Sequence, residues 1–257
     1  MGRAEEAAAR GHRTRPRVSP TLDRERDLWE EGYAVVAGMD EVGRGAWAGP
    51  VSVGVAVLKE STSSSSQPPL LRDSKMLSEK RREEIFDEVG KWCAEWSVGH
   101  ADARECDRWG MVSAIQIAGY RALSQIKRTP EVLLVDGPVD LLMGRPAGDG
   151  GQGDGGQGDD SVHGASKGLP GFDPQSVPAL PRVIPVTRGD ETCASISAAS
   201  VLAKVVRDRL MREQRDQFPA FGFERNKGYP SPEHRLALRR VGLTPIHRRS
   251  WSFARDL

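Results

Sequence analysis

Two apolar segments of the chain end in carboxylates, and these acids are the side chains best suited to chemistry. The run 35–39 is followed directly by Asp40 and Glu41, and the run 132–135 by Asp136. Burying an unpaired carboxylate is unfavourable, so acids at the ends of core strands need a cation or solvent beside them. Ends of neighbouring strands lie about 5 Å apart, so acids gathered there would repel each other and favour Mg²⁺ or Mn²⁺.

On these residues alone, a polar turn after a strand explains Asp40 and Glu41 equally well. Successive strand residues point to opposite faces of a sheet, so both acids can serve one site only where the strand ends. Gly43 and Gly45, on either side of Arg44, favour such an ending. A Gly-Arg-Gly turn can also bring backbone N–H and C=O groups close to a ligand, because no side chain blocks the approach at glycine.

The spacing of apolar residues predicts a mixed sheet flanked by helices. We expect strands at 33–41, 50–58, 96–101, 131–136 and 182–186. We expect helices at 78–93, 111–127, 190–216 and 231–240, the first of them capped by Ser78. The alternation from Val51 to Val57 predicts that the second strand pairs antiparallel with the first. This order of elements places the chain in the α/β class.

Composition divides the chain further. Residues 1–31 are rich in Arg, Glu and Ala with little apolar content, which predicts a flexible tail or a solvated helix. Residues 144–181 hold 11 of the 28 glycines and five of the 17 prolines, and they repeat Gly-Gly-Gln-Gly-Asp in tandem. Such a stretch cannot bury enough apolar surface to fold alone, so we expect a disordered insertion. The main domain would then span 32–217, with a helical extension at 218–257.

Bulk composition argues against several classes of protein. The sequence has no apolar run of about 18 residues, and residues 1–6 lack the apolar core of a secretory signal. Cys93, Cys106 and Cys193 are odd in number and never spaced as C-x-x-C, which predicts a reducing cytoplasm and neither disulfides nor a zinc site. The net charge of +1 hides a basic segment, 204–257, with 13 Lys and Arg against 6 Asp and Glu. That segment suits nucleic acid, and it suits an ordinary solvated surface as well.

The ordered motifs of the chain resemble those of type 2 ribonucleases H (bacterial ribonuclease HII). They are Asp40-Glu41-Val42-Gly43-Arg44-Gly45, Ala48-Gly49-Pro50-Val51, DSKMLS at 73–78, Val135-Asp136-Gly137, Gly189-Asp190, SISAASVLAKVVRD at 195–208, NKGYP at 226–230 and HRRS at 247–250. A single Gly-Arg-Gly has little specificity, whereas the ordered set is highly specific and spans about residues 33–251.

The resemblance implies a ribonuclease H-like fold, with a mixed five-stranded sheet flanked by helices and a helical C-terminal segment, 218–257, that binds substrate. It implies that the catalytic and metal-binding residues are Asp40, Glu41, Asp136 and Asp190, holding Mg²⁺ or Mn²⁺ with two ions during catalysis. It also implies an endonuclease that hydrolyses the RNA strand of RNA–DNA hybrids and incises 5′ to ribonucleotides embedded in duplex DNA. The expected products are 3′-hydroxyl and 5′-phosphate ends. We expect these nucleic acids as partners, no membrane, and a cytoplasmic monomer.

The substrate-binding residues are also implied by the resemblance. The backbone of Gly43-Arg44-Gly45 is expected to meet the ribose 2′-OH, the group that separates RNA from DNA. Tyr229 is expected to stack against the sugar next to the ribonucleotide. Lys75 and Lys204 are expected to contact phosphates.

Ordinary structural explanations stay open for several of these positions. Asp190 is well placed to cap the helix that follows it, and Tyr229 can be a packed surface residue. Asp208, between two arginines of a helix, is a rival fourth ligand, for which a surface ion pair is the expected role. Arg248 and Arg249 suit phosphate contact and solvation equally.

Two other functions compete with the ribonuclease. A DEDD-type 3′–5′ exonuclease uses a similar metal site, but it usually opens with Asp-x-Glu rather than an adjacent Asp-Glu pair. A non-catalytic hybrid-binding protein needs no acids, whereas all four carboxylates are present here. His100 and His234 have no metal-like spacing, so we expect both to be structural.

Overall fold

A sheet covered by helices forms the centre of the computed structural model, which describes residues 19–64, 67–68, 71, 74–137, 139–140, 145–146 and 181–255. The strands are β1 (Val35–Val42), β2 (Val51–Lys59), β3 (Glu95–Ala101), β4 (Val132–Asp136), β5 (Val139–Asp140), β6 (Arg145–Pro146) and β7 (Arg182–Val186). The helices are α1 (Asp23–Glu30), α2 (Glu79–Trp92), α3 (Ala103–Gln125), α4 (Gly189–Thr192), α5 (Ala194–Gln217), α6 (Phe223–Asn226), α7 (Pro232–Val241) and α8 (Ser252–Arg255). Short 3₁₀ helices lie at Glu60–Ser64, Ser74–Met76 and Pro219–Phe221.

Five strands make one mixed sheet in the order β3-β2-β1-β4-β7. β2 runs antiparallel to both β1 and β3, whereas β4 runs parallel to both β1 and β7. The predicted antiparallel pairing of the first two strands is confirmed, and so is the predicted fold class. β5 and β6 form a separate two-stranded ladder.

Each face of the sheet is covered because successive strand residues point to opposite sides. The alternate valines of β2 lie in a core with α3, and Ala56 and Leu58 lie in a core with α2 and α5. Helix α5 approaches the sheet closely at two glycines. A Cβ on Gly38 would lie 2.2 Å from the Ile196 backbone, and one on Gly54 would lie 2.4 Å from Ala199 O. The small residues of α5 therefore pack against the sheet as their size predicts.

Helix boundaries follow their caps. Ser78 Oγ accepts a hydrogen bond from Arg81 N and begins α2, as predicted. The helix predicted from residue 111 is preceded by a helical segment that was not predicted, because Asp102 and Glu105 form a capping box that begins α3 at Ala103. The backbone then leaves helical geometry at Gly110, where φ is +76°.

The first described segment packs against the core, so the flexible tail or solvated helix predicted for 1–31 is wrong for residues 19–31. Leu22, Leu28 and Trp29 are buried against the sheet. Glu25 is also fully buried, and its Oε1 accepts a hydrogen bond from Ser195 N at 2.8 Å. Residues 1–18 lie outside the described residues.

Two further predictions concern the insertion and the C-terminal segment. Of residues 144–181, only Arg145–Pro146 and Pro181 are described, so the predicted insertion stays a prediction. The C-terminal helices pack with the end of α5 on the segment after β1, where Ala48 and His247 form an antiparallel bridge. In the described part of the chain, none of the helices is long and apolar enough to cross a membrane.

Candidate active site

Asp40 and Asp136 lie side by side at the carboxyl ends of the neighbouring strands β1 and β4. The parallel pairing of β1 with β4 runs as far as Met39↔Val135, so Asp40 and Asp136 come next on their strands. Neighbouring strands lie about 4.8 Å apart, which places the two carboxylates near each other. Asp40 is only 5% exposed, and Asp136 is half-buried.

Asp190 joins this pair from the segment that follows β7. Its backbone N–H donates to Asp136 Oδ1 at 3.4 Å, as the Gly189 N–H does at 2.7 Å. The N-cap positions of α4 and α5 belong to other residues, so capping does not explain Asp190. Its own Oδ2 accepts a hydrogen bond from Lys75 Nζ at 2.8 Å.

Glu41 follows Asp40 directly, and the two carboxylates interact, because the charge of Glu41 raises the pKa of Asp40. β1 ends at Val42, one residue beyond the predicted end and directly before the Gly43 turn. Glu41 Oε1 lies 3.8 Å from Arg44 Nη1. The negative charge of Asp136 contributes to raising the pKa of Glu41.

The four carboxylates, here called the acid edge, share an excess of negative charge. Burial raises the pKa of Asp40 well above its usual range, and the charges of Glu41 and Asp136 raise it further. Burial also raises the pKa of Glu41. Burial and the neighbouring Asp190 raise the pKa of Asp136, although backbone N–H donors oppose this shift. The Lys75 ammonium opposes the rise at all three of these acids.

The acid edge fits a divalent metal ion by donor chemistry and by charge. It offers only carboxylate oxygens, which Mg²⁺ and Mn²⁺ prefer, and burial together with the charges of neighbouring acids raises the pKa values of Asp40 and Asp136. Across the described ranges, no group of three or more His, Cys, Asp and Glu side chains forms a ready-made metal site. Without a cation between them, the like charges of these carboxylates repel each other. The acid edge therefore supplies suitable oxygen donors for a metal ion, although the donors do not already form a complete coordination site.

Gly43-Arg44-Gly45, here called the glycine turn, directly follows the acid edge. Gly43 has a φ of +87°, and a Cβ there would lie 2.1 Å from Arg207 Nε, so the fold itself requires glycine. Gly45 lacks a left-handed φ, and the nearest atom to a Cβ there is Tyr229 Cε1 at 4.0 Å. The structure would therefore accommodate a side chain at position 45, so the packing of the protein does not explain the glycine there.

Two fully buried arginines hold the glycine turn and the residues that follow it, and the sequence predicted neither set of contacts. Arg248 donates to the carbonyl oxygens of Gly43 and Arg44 at 2.8 and 2.9 Å, and Arg207 donates to Pro50 O at 2.9 Å. Both roles expected for Arg248, phosphate contact and solvation, are wrong because its side chain is not exposed. No local signal marked Arg207, because it stands in a charged stretch with Lys204, Asp208 and Arg209.

Tyr229 lies beside the glycine turn with two cations against its ring. Lys204 Nζ is 5.6 Å and Arg207 Cζ 5.3 Å from the ring centroid. Lys204 is already engaged, because its Nζ lies 2.5 and 2.7 Å from the two Asp208 oxygens. Asp208 is 2% exposed and also 3.5 Å from Arg82, so the predicted surface ion pair is wrong and the pair is buried. The phosphate contact of Lys204 stays a prediction.

Lys75 and the basic C-terminal segment differ in how much positive charge they present to solvent. The Lys75 side chain is 70% exposed even though its Nζ is bonded to Asp190. Many cations of the basic segment are compensated instead: Arg209 and Arg212, for example, pair with Glu83. The net charge of 204–257 therefore overstates the charge available to a polyanion.

A buried histidine pair lies behind Tyr229. His247 Nδ1 accepts a hydrogen bond from Thr244 N at 3.0 Å, so the His247 proton is on Nε2 and is donated to His234 Nε2 at 2.9 Å. His234 Nδ1 then donates to Tyr229 O at 3.0 Å. Burial lowers the pKa of His247 to about 4 and also lowers the pKa of His234. The structural role predicted for His234 is confirmed.

Comparison with known proteins gives concordant matches. The family model of ribonuclease HII matches residues 37–139 and 165–254, and most of the residues between these ranges belong to the predicted insertion. Ribonuclease HII of Streptomyces avermitilis is 38% identical over 239 residues, which cover 93% of this chain and 86% of that protein. The crystal structure of ribonuclease H2 from Pyrococcus horikoshii OT3 superposes with a TM-score of 0.64 at 26% identity, covering 86% of this chain and 96% of that one.

A second solved structure shares the fold at lower identity. The crystal structure of Bst-RNase HIII in complex with Mn²⁺ has a TM-score of 0.54 at 15% identity, covering 87% of this chain and 69% of that one. The exonuclease and the non-catalytic binding protein find no support in these matches. The chain belongs to the ribonuclease HII family, and it is an RNase H endonuclease of RNA–DNA hybrids.

Proposed function

We propose that the chain is a metal-dependent endonuclease that cleaves the RNA strand of hybrids and also incises 5′ to ribonucleotides embedded in duplex DNA. Its products would carry 3′-hydroxyl and 5′-phosphate ends. The observation that carries this proposal is the position of the glycine turn, which begins two residues after Glu41. A ribose bound at the turn would therefore present its phosphate next to the acid edge.

The acid edge is proposed to hold Mg²⁺ or Mn²⁺ through Asp40, Glu41, Asp136 and Asp190, with two ions during catalysis. Support comes from the oxygen-only donors and their shared negative charge. Bst-RNase HIII, which has the same fold, has been crystallised in complex with Mn²⁺. When bound, such ions activate a water, neutralise phosphate charge and stabilise the leaving oxygen.

The residues around the acid edge have their own roles in the proposal. Asp136 accepts the backbone N–H groups at the start of α4 and so keeps Asp190 next to β4. Lys75 is largely exposed at the same edge, where its ammonium would attract the substrate phosphate. Lys204 would act on the phosphate only at the expense of its bonds to Asp208, so its first role is beneath the Tyr229 ring.

Discrimination between RNA and DNA is proposed to lie in the glycine turn and Tyr229. Phosphate contacts cannot discriminate, because both backbones carry phosphates, so the 2′-OH must be read directly. Within the described structure, the backbone N–H groups of Arg44 and Gly45 donate no hydrogen bond to another protein atom. These two donors would bind the 2′-OH oxygen, and the open space at Gly45 would admit the sugar beside Tyr229.

The experiment is cleavage of end-labelled duplexes that contain zero, one or four ribonucleotides, incubated with Mg²⁺, Mn²⁺ or EDTA. We expect incision 5′ to a lone ribonucleotide, cleavage of the longer tract, and no cut in all-DNA duplex or in EDTA. Asp136→Asn protein, purified in parallel, controls for contaminating nucleases. Cleavage of plain DNA, or undiminished cleavage in EDTA, would contradict the proposal.

Cellular location and assembly are also part of the proposal. Cys93, Cys106 and Cys193 are buried free thiols, which suits the reducing cytoplasm. We propose that the chain acts there as a monomer, and sedimentation of the purified protein tests the monomer directly.

A further inference from the structure

Arg248 connects the C-terminal segment to the glycine turn through its whole guanidinium group. Nη2 donates to Gly43 O at 2.8 Å, and Nη1 donates to Arg44 O at 2.9 Å. Nη2 and Nε also lie 3.1 and 3.3 Å from Gly49 O. Its backbone N–H donates to Trp47 O at 2.9 Å. One residue therefore binds four positions of the segment between β1 and β2.

Arg207 reinforces the same segment from α5. Its guanidinium donates to Pro50 O, Lys227 O and Ala48 O at 2.9, 3.0 and 3.3 Å. The same group lies 5.3 Å from the ring centroid of Tyr229. The segment that reads substrate is thus fixed from two directions by buried planar cations.

Buried guanidinium groups are unusual choices for simple packing. Every hydrogen-bond acceptor that the described structure gives to the Arg248 guanidinium is a backbone carbonyl oxygen. Apolar side chains could fill the same space without the desolvation of a charge. A planar fork of donors adds something that apolar packing lacks, because it fixes the direction of several carbonyl groups at once.

The consequence for the glycine turn is a fixed orientation of its peptide groups. The carbonyls of Gly43 and Arg44 point to Arg248, and the Ala46 N–H closes the turn on Gly43 O at 3.2 Å. The peptide N–H groups of Arg44 and Gly45 are then the donors left for a ligand in the described structure. A tilt of either peptide plane would move these donors away from a bound sugar.

We propose that Arg248 is a positioning residue that sets the discrimination for a ribonucleotide by fixing the peptide planes of the glycine turn. This inference rests on the proposed reading of the 2′-OH by the turn. A substrate with one ribonucleotide depends on a single 2′-OH contact, whereas a hybrid offers neighbouring ribonucleotides that can bind in its place. Loss of Arg248 should therefore harm the first substrate much more than the second.

The test compares kcat/KM on a duplex with one ribonucleotide and on an RNA–DNA hybrid, for the wild type, Arg248→Lys and Arg249→Gln. Lysine keeps the charge but not the fork, so we expect Arg248→Lys to lose about tenfold or more on the single ribonucleotide and about threefold or less on the hybrid. Arg249 is adjacent and exposed, so Arg249→Gln should keep the ratio of the two rates. Equal losses on both substrates, or an unchanged ratio in folded Arg248→Lys, would overturn the proposal.

A second variant covers the case in which Arg248→Lys does not fold. Asp107 on α3 accepts hydrogen bonds from the backbone N–H groups of Arg249 and Ser250 at 2.8 and 2.9 Å, in an exposed setting. Asp107→Ala should loosen the segment that carries Arg248 and lower the same ratio about threefold. An unchanged ratio in that folded protein would also overturn the proposal. Failure of the wild type to cut at a single ribonucleotide would instead refute the proposed function, whatever the variants do.

Discussion

The acid edge and the glycine turn lie next to each other in the chain, but they differ in the interactions that surround them. At the acid edge, burial and mutual repulsion raise the pKa values of Asp40, Glu41 and Asp136, with Lys75 as the cation that opposes all three shifts. In the glycine turn, the carbonyl groups of Gly43 and Arg44 are bound by the buried Arg248, and Arg207 binds Pro50 O further along the same segment. Under the proposed function, the recognition surface is built in advance, whereas the proposed chemical site is a cluster of acids that needs positive charge.

The largest predicted effect is on cleavage when a charge is removed from the acid edge. Asp136→Asn and Asp40→Asn should each lower kcat roughly 10³-fold, because each removes one charge from the proposed metal ligands. The melting temperature in EDTA should not fall, since repulsion among the acids is reduced. Cleavage rates and thermal unfolding of the same preparations check this, and near-normal cleavage would exclude that acid from the site.

A carboxylate outside the acid edge should behave in the opposite way. Asp208 is buried between Lys204 and Arg82, so Asp208→Asn leaves buried cations without their partner. We expect a loss of about 3 kcal/mol in the free energy of unfolding, with activity retained by the folded protein. Urea denaturation measures the first quantity. An inactive but fully stable Asp208→Asn protein would place Asp208 in the chemistry instead.

The histidine pair behind Tyr229 predicts a pH dependence of stability. The folded-state pKa of His247 is about 4, below its ordinary value of 6.5, so the unfolded chain binds a proton more readily. Stability from this group is fully present above pH 6.5 and is lost as pH falls towards 4, by up to about 3 kcal/mol. Urea denaturation across this range should show a smaller decline for His247→Gln than for the wild type. Parallel declines would contradict the assignment.

The smallest predicted effects separate the two glycines of the turn. Gly43→Ala should lower stability by about 1–3 kcal/mol, because of its φ of +87° and the contact with Arg207. Gly45→Ala should leave stability within about 0.5 kcal/mol and lower cleavage at a single ribonucleotide about tenfold, since its methyl group enters the open space beside Tyr229. Denaturation and kinetics on both variants check this. A destabilised, fully active Gly45→Ala protein would reverse the assignment of the two glycines.

The sequence predicted what depends on local pattern. Valine-rich runs that end in acids indicated the strands of the sheet and placed Asp40 and Asp136 at one edge, because strand periodicity and strand ends are local properties. The first segment of α3, before the kink at Gly110, was missed because a capping box rather than apolar spacing begins it.

What the sequence did not predict depends on contacts between distant segments. Arg248 binds Arg44, which lies 204 residues away in the sequence. Nothing in the local sequence distinguishes Arg248 from the exposed Arg249. Glu25 is buried because its carboxylate meets the start of α5, which a polar sequence cannot reveal. The same long-range packing buries Asp208, although its sequence neighbours suggest a surface pair.

One binding measurement tests most directly whether recognition is built in advance and is separate from chemistry. Asp136→Asn protein is titrated with a duplex containing one ribonucleotide and with the matching all-DNA duplex, at one fixed salt and metal concentration. We expect tighter binding of the ribonucleotide duplex by about 5- to 100-fold, and loss of that preference in the Asp136→Asn/Gly45→Ala double variant. Equal affinity of Asp136→Asn protein for the two duplexes would contradict a preformed glycine turn that selects the ribonucleotide.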